Sequence, residues 1–564
     1  MNPASLIREK LANALKALDI SVVPEDIHLE HTEDFAHGDY ASNVALSYAK
    51  QLKMNPKELA EKLAAEVRSI AGVASVEVAG PGFINFTLAP AYLAEMLEIG
   101  RKHGEKWGSG VGLKGQKVIV EYTDPNPFKE FHIGHLVTNT IGESMARLFE
   151  FVGADVRRAN YQGDVGRHVA RAIWGLLPSG ESAKDVKALG RAYAAGAAAD
   201  VDDSPAKAEI TAINKKVYDR SDKDINHLYD QGRKTSLEHF EDLYKILGTK
   251  FDFYFFESET GPFGKEIVEK NTGTIFEKSD GAVIYDGEKK GLHKRVFLNS
   301  EDLPTYEAKE LGLSKMKYEK FKYDASVIVT GNEINEYFKV LLAAMGEVFP
   351  DLASKTKHVS HGMMRLQEGK MSSRTGNVIT GESLIEDLTE VARGHAADSR
   401  AEDKEKLAQE VAVAAIKFQI LKGGTSKDII FDRERALSVE GDSGPYLQYT
   451  HARCHAIMEK AHEQKVKGKF DSALLGDLSA AQTGLARLVY RFYETVAHAQ
   501  EELEPHIVAN YLIQVASAFN SWYAQEQILD GTDLAAHKVA LTDIVRLTLK
   551  NGLWLLGIPT PEKV

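Results

Sequence analysis

One short stretch constrains the fold more than any other part of the chain. The apolar residues 118–120 (VIV) are followed by residues 131–136 (FHIGHL), which open a long helical pattern. A strand whose following turn opens a helix places that helix N-terminus at the carboxyl edge of a parallel sheet, where open α/β sheets bind their ligands. The sequence therefore predicts a parallel α/β fold with a ligand site at this edge.

The first turn of this helix carries groups suited to binding an anion. The leading N–H groups of a helix have no intrahelical partner and attract negative charge. Gly134 allows close approach to the backbone because it has no Cβ, and His132 and His135 share one face of the turn. Two imidazole donors there can hold phosphate oxygens where charge develops. A helix cap or a metal site is the alternative, but no third metal ligand lies at a suitable spacing nearby.

A second stretch, residues 369–377 (GKMSSRTGN), is a basic loop of small residues. Lys370 lies between glycine and small or flexible residues, so its ammonium group can move onto the β- and γ-phosphates of a nucleotide. An ordinary solvated basic turn is the alternative. Together with the histidine pair, the loop indicates that ATP is bound and split between its α- and β-phosphates.

These two stretches resemble those of class I aminoacyl-tRNA synthetases, and the details resemble the arginyl-tRNA synthetase family. The resemblance runs nearly from end to end. The further matching segments are residues 35–43 (FAHGDYASN), 78–86 (VAGPGFINF), 125–126 with Lys129, 160–166 (NYQGDVG) and 440–449 (EGDSGPYLQY). The resemblance implies that L-arginine is attached to tRNA(Arg) through an arginyl-adenylate formed from ATP, with release of AMP and pyrophosphate. It also implies that tRNA must be bound before arginine is activated.

The resemblance assigns roles to particular residues. It implies catalytic roles for His132, His135, Lys370 and Lys129. It implies ATP binding by His132, Gly134, His135, Met363, Met364, Lys370 and Ser372. Mg²⁺ is expected to arrive with the nucleotide, and no metal site of the protein's own is expected. The usual second lysine of the basic loop is replaced by Ser373 and Arg374, and Lys129 is expected to supply the missing charge.

A pocket for free arginine must satisfy a planar guanidinium, and a carboxylate does this with two parallel hydrogen bonds. Residues 304–310 (PTYEAKE) resemble the family's pocket helix, and Tyr306 and Glu310 are four residues apart on it, so both can contact one ligand. The family has an aspartate where Glu310 stands, and the alternative is a surface glutamate that meets only solvent. Asp124, where the family often has serine, and Asn126 are expected to receive the α-ammonium group.

One pocket position departs from the family. Ile334 stands where many relatives have glutamine or another polar residue, so that contact is lost. Asn332 and Asn335 are the possible substitutes.

The chain divides into three predicted domains. Residues 1–108 predict an α+β domain that contacts tRNA, with a folding or dimer accessory as the alternative. Residues 109–390 predict a Rossmann-like nucleotide-binding catalytic domain with an insertion at about 170–295, and residues 391–564 predict an all-α helical bundle that binds the anticodon. The residues expected to contact tRNA are Tyr446, Gln448, Tyr449, Arg487 and Arg491.

Short apolar runs predict the strands of the catalytic domain. Those assigned to the nucleotide-binding sheet are residues 117–122, 156–160, 326–329 and 358–360. Two others, residues 252–256 and 282–285, are predicted as strands within the insertion.

Composition limits the partners. The net charge of −13 argues against indiscriminate nucleic-acid binding, so DNA is not expected, although local basic faces can still bind tRNA. Cys454 is the only cysteine, which excludes an internal disulfide and suits a reducing cytoplasm. There is no apolar run of about 18 residues, so no membrane span is expected. The chain start lacks a basic region followed by an apolar stretch, so no secretory signal is expected. A cytoplasmic monomer is the expectation.

Two other functions stay open. One is a class I synthetase for another cationic amino acid such as lysine. The other is a non-catalytic RNA-binding relative, which would tolerate loss of the histidines or of Lys370, yet these residues are present.

Overall fold

A computed structural model describes residues 3–201, 204–367, 380–397 and 399–564. The strands of these residues are β1 (Glu30–His31), β2 (Tyr40–Ser42), β3 (Val73–Ala79), β4 (Phe83–Leu88), β5 (Lys117–Glu121), β6 (Asp155–Gln162), β7 (Phe253–Phe256), β8 (Glu277–Ser279), β9 (Ala282–Tyr285), β10 (Arg295–Leu298), β11 (Ala325–Gly331), β12 (Thr356–His361), β13 (Met364–Leu366) and β14 (Ile429–Phe431).

The helices cover the larger part of the described chain. They are α1 (Pro3–Lys16), α2 (Val44–Leu52), α3 (Pro56–Glu66), α4 (Pro90–His103), α5 (Ile133–Phe151), α6 (Arg167–Ser179), α7 (Val186–Ala199), α8 (Pro205–Asp219), α9 (Lys223–Leu247), α10 (Glu257–Lys270), α11 (Tyr306–Lys320), α12 (Asn335–Val348), α13 (Pro350–Lys355), α14 (Gly381–Ala396), α15 (Lys404–Leu421), α16 (Arg433–Ala436), α17 (Gly444–Glu463), α18 (Ala480–Tyr490), α19 (Phe492–Glu502), α20 (His506–Gln525) and α21 (Ala535–Leu555). None of those described is both long and apolar enough to cross a bilayer.

Backbone contacts divide the chain into two compact units. One comprises Met1–Gly108, Arg453–Glu494 and Gln514–Asn551, and the other comprises Ser109–Ala452, Thr495–Ile513 and Gly552–Val564. The C-terminal helices are therefore shared between the units. The division into three domains, with its boundaries near residues 108 and 390, stays a prediction.

The second unit is built on a five-stranded sheet in the order β12-β11-β5-β6-β7. Every neighbouring pair in this sheet is parallel. Val118, Ile119 and Val120 of β5 are buried, as expected for a central strand covered by helices on both faces. The strand order reverses direction between β5 and β11, and such a switch point opens a crevice at the carboxyl ends of the strands. The predicted Rossmann-like fold is confirmed.

The strand β7 corrects the predicted extent of the insertion. It pairs in parallel with β6 and is an edge strand of the central sheet, whereas residues 252–256 were predicted to lie inside the insertion. The helices α6 to α9 form the connection between β6 and β7. The prediction was wrong because a strand's own sequence does not reveal its partner, and a parallel crossover can be long. By contrast, β9 does lie in a separate antiparallel sheet, with the order β10-β9-β8.

The helix α5 carries the predicted histidines at its first turn. His132 is its N-cap residue, and the helix ends at Phe151. Gly153 has a φ of 101° and follows the C-terminus, a conformation that favours glycine after a helix end. His132 and His135 are thereby placed at the sheet's carboxyl edge, as the sequence predicted.

The first unit includes an antiparallel sheet in the order β1-β2-β4-β3. Helix α3 begins as predicted: the Asn55 side chain accepts a hydrogen bond from the Lys57 N–H, and Pro56 is the first helical residue. Leu59 and Leu63 of this helix are buried in one core with Ile84 and Phe86 of β4. The predicted α+β arrangement of the N-terminal region is confirmed.

Candidate active site

A cavity of about 470 Å³ opens at the carboxyl ends of the parallel strands in the second unit. Its lining includes Thr123 after β5, Gly163 after β6, Gly331 of β11 and His361 of β12. The residues predicted for ATP or arginine that line it are Asp124, Asn126, His132, Gly134, His135, Tyr306, Glu310, Met363 and Met364. Residues separated by up to 243 positions thus meet around one cavity.

The loop after β5 forms one wall of the cavity in an unusual backbone conformation. Thr123, Asp124 and Phe128 have φ values of 82°, 49° and 69°, which non-glycine residues seldom adopt. Hydrogen bonds hold the loop: the Tyr161 N–H donates to Asp124 at 2.7 Å, and the Phe128 N–H donates to the Ser236 hydroxyl at 2.9 Å. Backbone strain of this kind persists where the surroundings over-determine it, and it clusters at functional sites.

The close approach of the Asn126 side chain explains one glycine in the lining. A Cβ on Gly163 would lie 2.2 Å from the Asn126 side-chain oxygen. Glycine at this position therefore lets Asn126 stay against the strand end, in the wall of the cavity.

The two histidines stack on each other. Their ring centroids are 3.6 Å apart with an interplanar angle of 24°. Burial, with the nearby charge of Lys129, lowers the pKa of His132, and burial with the charges of His132 and Lys129 lowers the pKa of His135 further. Both rings are therefore neutral at neutral pH, and each keeps one N–H donor. His135 Nδ1 is buried and has no hydrogen-bond partner among the described residues, so it can bond a ligand.

Of the two lysines predicted to be catalytic, only Lys129 lies within the described residues. Lys129 is not among the lining residues, and its ammonium lies 5.2 Å from the centroid of the Tyr193 ring. Lys370 and Ser372, like Ser373 and Arg374, lie outside the described residues. The chain on both sides of residues 368–379 reaches the cavity, because Met363 and Met364 line it and Thr380 pairs with His132 in an antiparallel bridge.

Five carboxyl groups border the cavity, and the sequence analysis identified only Asp124 and Glu310. Glu121, Glu257 and Glu333 are the others, and Glu121 and Glu257 are each held by a buried lysine. Lys317 Nζ lies 2.6 Å from Glu121, and Lys309 Nζ lies 2.5 Å from Glu257. Both lysines belong to α11, the helix of Glu310. Nothing in the sequence pairs Glu121 or Glu257 with a lysine of this helix, so neither carboxylate could be identified from it.

Asp124 and Glu310 form no ion pair among the described residues. Glu310 Oε2 is buried and makes no hydrogen bond to any described residue. Burial, followed by repulsion from Glu121, raises the pKa of Glu310 well above its usual range. The same two causes raise the pKa of Asp124, whose Oδ1 accepts only the Tyr161 N–H described above. A cationic ligand would lower both pKa values and relieve the repulsion.

Two further details bear on the predicted pocket. Tyr306 is 63% exposed and stands at the rim above Glu310. Ile334 lines the cavity, whereas neither Asn332 nor Asn335 does, so neither asparagine replaces the polar contact in this conformation.

The described residues contain no cluster of histidine, cysteine, aspartate or glutamate that could hold a metal ion by itself.

Three family models together match most of the chain. The family model for tRNA synthetases class I (R), catalytic domain, matches residues 103–433. Models for the arginyl tRNA synthetase N terminal domain and the DALR anticodon binding domain match residues 5–88 and 447–564. The chain belongs to the arginyl-tRNA synthetase family.

Individual relatives of this arginyl-tRNA synthetase family member span nearly its full length. An arginine–tRNA ligase of Treponema denticola is 30% identical, with 96% of this chain and 95% of the relative covered. One of Clostridium perfringens is 29% identical, with 96% and 97% covered. Among solved structures, Thermus thermophilus arginyl-tRNA synthetase has a TM-score of 0.76 at 24% identity, covering 99% of each chain. The Plasmodium falciparum enzyme has a TM-score of 0.79 at 20% identity, covering 99% of this chain and 98% of that one, so both share the fold.

The residues predicted to contact tRNA in this member of the arginyl-tRNA synthetase family differ in how far they are buried. Tyr446 and Tyr449 are half-buried on α17. Gln448 is fully buried, and its Nε2 donates hydrogen bonds to the Glu410 and Pro559 carbonyls at 3.3 and 2.9 Å. A buried amide that already holds two carbonyls cannot contact RNA, so Gln448 is corrected to an internal structural residue. Helical periodicity did not reveal which face of α17 is buried.

Arg487 is also engaged inside the protein. Its Nε donates to Asp39 at 2.6 Å, Nη1 donates to the Phe35 carbonyl at 3.1 Å, and the guanidinium lies 4.4 Å from the Phe35 ring centroid. The Arg491 guanidinium lies 4.6 Å from the same ring. Asp39 and Phe35 lie in the region that matches the arginyl-tRNA synthetase N-terminal domain model, and Arg487 lies in the region that matches the anticodon-binding domain model. These two regions therefore contact each other through Arg487. Arg487 is corrected from an RNA contact to a structural residue.

Replacing Arg487 with alanine will destabilise this arginyl-tRNA synthetase relative by about 2 kcal/mol, because Asp39 would be left buried with an uncompensated charge. The Arg487 and Asp39 side chains are only 12% and 3% exposed, so solvent cannot replace the lost partner. Urea denaturation of the full chain measures the change. The exposed Arg68→Ala variant, expected within about 0.5 kcal/mol of wild type, is the control. Equal unfolding midpoints for the two variants would contradict the structural role.

Proposed function

We propose that this protein is an arginine–tRNA ligase. It activates L-arginine with ATP and transfers the arginyl group to tRNA(Arg), releasing AMP and pyrophosphate. One observation carries the proposal within the family: the cavity that holds the stacked histidines also holds two carboxyls, Asp124 and Glu310, with no cationic partner among the described residues.

The charges of the cavity match those of arginine. The Lys317–Glu121 and Lys309–Glu257 pairs are each neutral, which leaves three lining carboxyls. Glu333 lies near His132 and His361, so Asp124 and Glu310 are the two that are proposed to bind arginine. Arginine carries two cationic groups, the α-ammonium and the guanidinium. Glu310 lies on α11 next to Tyr306 and is proposed to receive the guanidinium, while Asp124 and Asn126 receive the α-ammonium. The arginine carboxylate is then left to face the nucleotide.

Activation requires little covalent work from the protein. The arginine carboxylate oxygen forms a bond to the α-phosphorus of ATP, and the bond from that phosphorus to the bridging oxygen of pyrophosphate breaks. His132 and His135 are proposed to donate N–H groups to the phosphate oxygens at the N-terminus of α5, where charge develops. Gly134, Met363 and Met364 are proposed to shape the nucleotide site.

Cations are proposed to hold the leaving pyrophosphate. Lys370 and Ser372 fall in the stretch whose two flanks reach the cavity, and Lys129 contributes its positive charge beside the histidines. Mg²⁺ is proposed to enter with ATP and to be held largely by phosphate oxygens, where it would neutralise negative charge. The 2′-hydroxyl of the terminal adenosine of tRNA then takes the arginyl group, with release of AMP.

The remaining partner assignments are also proposals. Tyr446, Tyr449 and Arg491 are proposed to lie near the bound tRNA, in the region that matches the anticodon-binding domain model. We expect a monomer that works in the cytoplasm, since a single buried cysteine suits a reducing compartment, and we expect no binding to DNA.

Aminoacylation of total tRNA with each cationic amino acid tests the proposed function. We expect charging with arginine and none with lysine, because only a planar guanidinium can bond a single carboxylate bidentately. Charging with lysine would favour the alternative synthetase. Binding of tRNA without any amino-acid-dependent reaction would favour a non-catalytic RNA-binding protein. In the same preparation, ATP–pyrophosphate exchange with arginine should require tRNA, and full-rate exchange without tRNA would contradict that dependence.

A further inference from the structure

The loop that leads into α5 rests on α7, a helix of the connection between β6 and β7. A Cβ on Gly190 would lie 3.0 Å from Glu130 Oε1, so the Glu130 side chain packs closely against α7. Tyr193 lies three residues after Gly190, on the same face of that helix. The ammonium of Lys129, the residue before Glu130, lies 5.2 Å from the centroid of the Tyr193 ring. Glycine at position 190 therefore leaves room for the loop beside α7.

A second connecting helix, α9, fixes the backbone just before Lys129. The Phe128 N–H donates to the Ser236 hydroxyl at 2.9 Å, and Phe128 has a φ of 69°. A Cβ on Gly232 would lie 2.3 Å from the Phe128 ring, so this ring is seated directly on α9. The backbone position of Lys129 is therefore set by its surroundings, and only its side-chain torsions decide where the ammonium lies.

The Lys129 ammonium is an uncompensated positive charge close to the cavity. Burial is the larger cause of the lowered pKa values of His132 and His135, and the charge of Lys129 lowers both further, which places it within electrostatic reach of both rings. Glu257 also feels this charge, but that carboxylate already pairs with a lysine of α11. Among the described residues, the Tyr193 ring is the contact that holds the Lys129 ammonium, which has no ion-pair partner there.

We propose that Tyr193 is a positioning residue for Lys129: the face of its ring keeps the ammonium beside the histidines, where the phosphates of ATP bind. This inference rests on the proposed arginine–tRNA ligase activity. It gives a helix of the connection between β6 and β7 a role in activation. Tyr193 does not line the cavity and would not touch the nucleotide, so it would act only through Lys129.

An aromatic partner suits a cation that must act on an anion. A ring face attracts an ammonium group electrostatically and leaves its charge unneutralised, whereas a carboxylate would compete with phosphate for it. Lysine has four flexible side-chain bonds, and without the ring its ammonium would extend into solvent. Confinement by Tyr193 therefore reduces the freedom that Lys129 loses when it binds phosphate oxygens. Loss of the ring should weaken activation and leave arginine binding unchanged.

A double-variant cycle tests the inference with the full-length protein. Tyr193→Leu, Lys129→Met and the combined variant are compared with wild type for the kcat/KM of ATP in tRNA-dependent ATP–pyrophosphate exchange. We expect Tyr193→Leu to lower kcat/KM about three- to tenfold, the usual effect of losing one cation–ring contact. In the Lys129→Met background, Tyr193→Leu should change it by less than about twofold, because the ring then has no cation to hold. The arginine KM should stay within about twofold of wild type throughout.

A purely structural role for Tyr193 predicts a different pattern. Its loss would then lower kcat/KM equally with and without Lys129, and that additive result would overturn the inference. Faster exchange by Tyr193→Leu would overturn it too, because the ring would then be holding the ammonium away from the phosphates. Wild-type protein that does not exchange in the presence of arginine and tRNA would instead reject the proposed function.

Two further substitutions separate the ring from the space that it fills. Tyr193→Phe keeps an aromatic face and should remain within about twofold of wild type in kcat/KM. Tyr193→Met keeps a long apolar side chain without a ring, so it should lose as much as Tyr193→Leu. Equal values for Tyr193→Phe and Tyr193→Met would assign the effect to packing and overturn the inference.

A lysine–tyrosine contact elsewhere in the same unit serves as the matched control. The Lys322 ammonium lies 4.5 Å from the centroid of the Tyr318 ring, and Tyr318 is a half-buried residue of α11 that does not line the cavity. Tyr318→Leu removes the same kind of contact away from the nucleotide site. Its kcat/KM for ATP should equal that of wild type, which excludes a general effect of losing such a contact.

Discussion

Replacing Glu310 with glutamine will raise the arginine KM about 100-fold, while kcat changes much less. The Glu310 Oε2 atom is buried without a partner, so the guanidinium is its proposed counter-ion. Removing one member of a buried charge pair costs about 3 kcal/mol in binding. The guanidinium is far along the substrate from the reacting carboxylate, so its contact should be equally strong in the ground and transition states. A loss of such uniform binding raises KM and leaves kcat nearly unchanged.

Steady-state aminoacylation at varied arginine concentration measures this effect. Glu319→Gln is the matched control, because Glu319 lies on the same helix with its side chain exposed beside Lys315. It removes one carboxylate from α11 without reaching the cavity. An arginine KM for Glu310→Gln within about threefold of the control would show that Glu310 does not bind arginine.

Replacing His135 with alanine will lower kcat of tRNA-dependent ATP–pyrophosphate exchange about 100- to 1,000-fold, the usual effect of losing one donor to a charge that develops in the transition state. His135 is buried at the N-terminus of α5 with its Nδ1 atom unpartnered. The His135 ring can therefore form one hydrogen bond to a ligand that it does not form with the described residues of the ligand-free protein. Because the contact strengthens as the phosphate charge develops, the loss should appear in kcat rather than in arginine binding.

The control for His135 is His293→Ala, an exposed histidine between β9 and β10. Exchange rates and binding of labelled tRNA are measured for both variants. tRNA binding should be the same in both, since the change lies in the nucleotide site. A His135→Ala protein that exchanges at the control rate would contradict the assigned role, and one that loses only tRNA binding would favour a non-catalytic RNA-binding protein.

Sequence reasoning was most accurate where function depends on neighbouring residues of one helix. His132 and His135 were singled out because their spacing places them on one helical face, and Tyr306 and Glu310 because residues 304–310 resemble the family's pocket helix, on which they share a face. The structure places all four around the same cavity. The strand, turn and helix that surround the histidines were also predictable, because each has its own apolar pattern and end signals.

Sequence reasoning was least accurate where a residue's environment depends on distant parts of the chain. Glu121 and Lys317 were not identified, because nothing in the sequence indicates that the end of β5 faces the end of α11. Gln448 and Arg487 were expected to face RNA, yet both bond to residues inside their own unit. A polar side chain on a helix has the same sequence signature whether its partner is a nucleic acid or a buried carbonyl.

By itself the amino-acid sequence determined the parallel α/β core, the helix that carries the histidines and the family to which the chain belongs. Local backbone preferences and short apolar periods suffice for the core and the helix, because they act between residues close in the chain, whereas the family follows from separated motifs that match in order. Only the tertiary structure decided that β7 joins the central sheet and that lysines hold two of the five cavity carboxyls. Such pairings depend on the packing of distant segments, because burial and neighbouring charge decide which carboxyl stays open to a ligand.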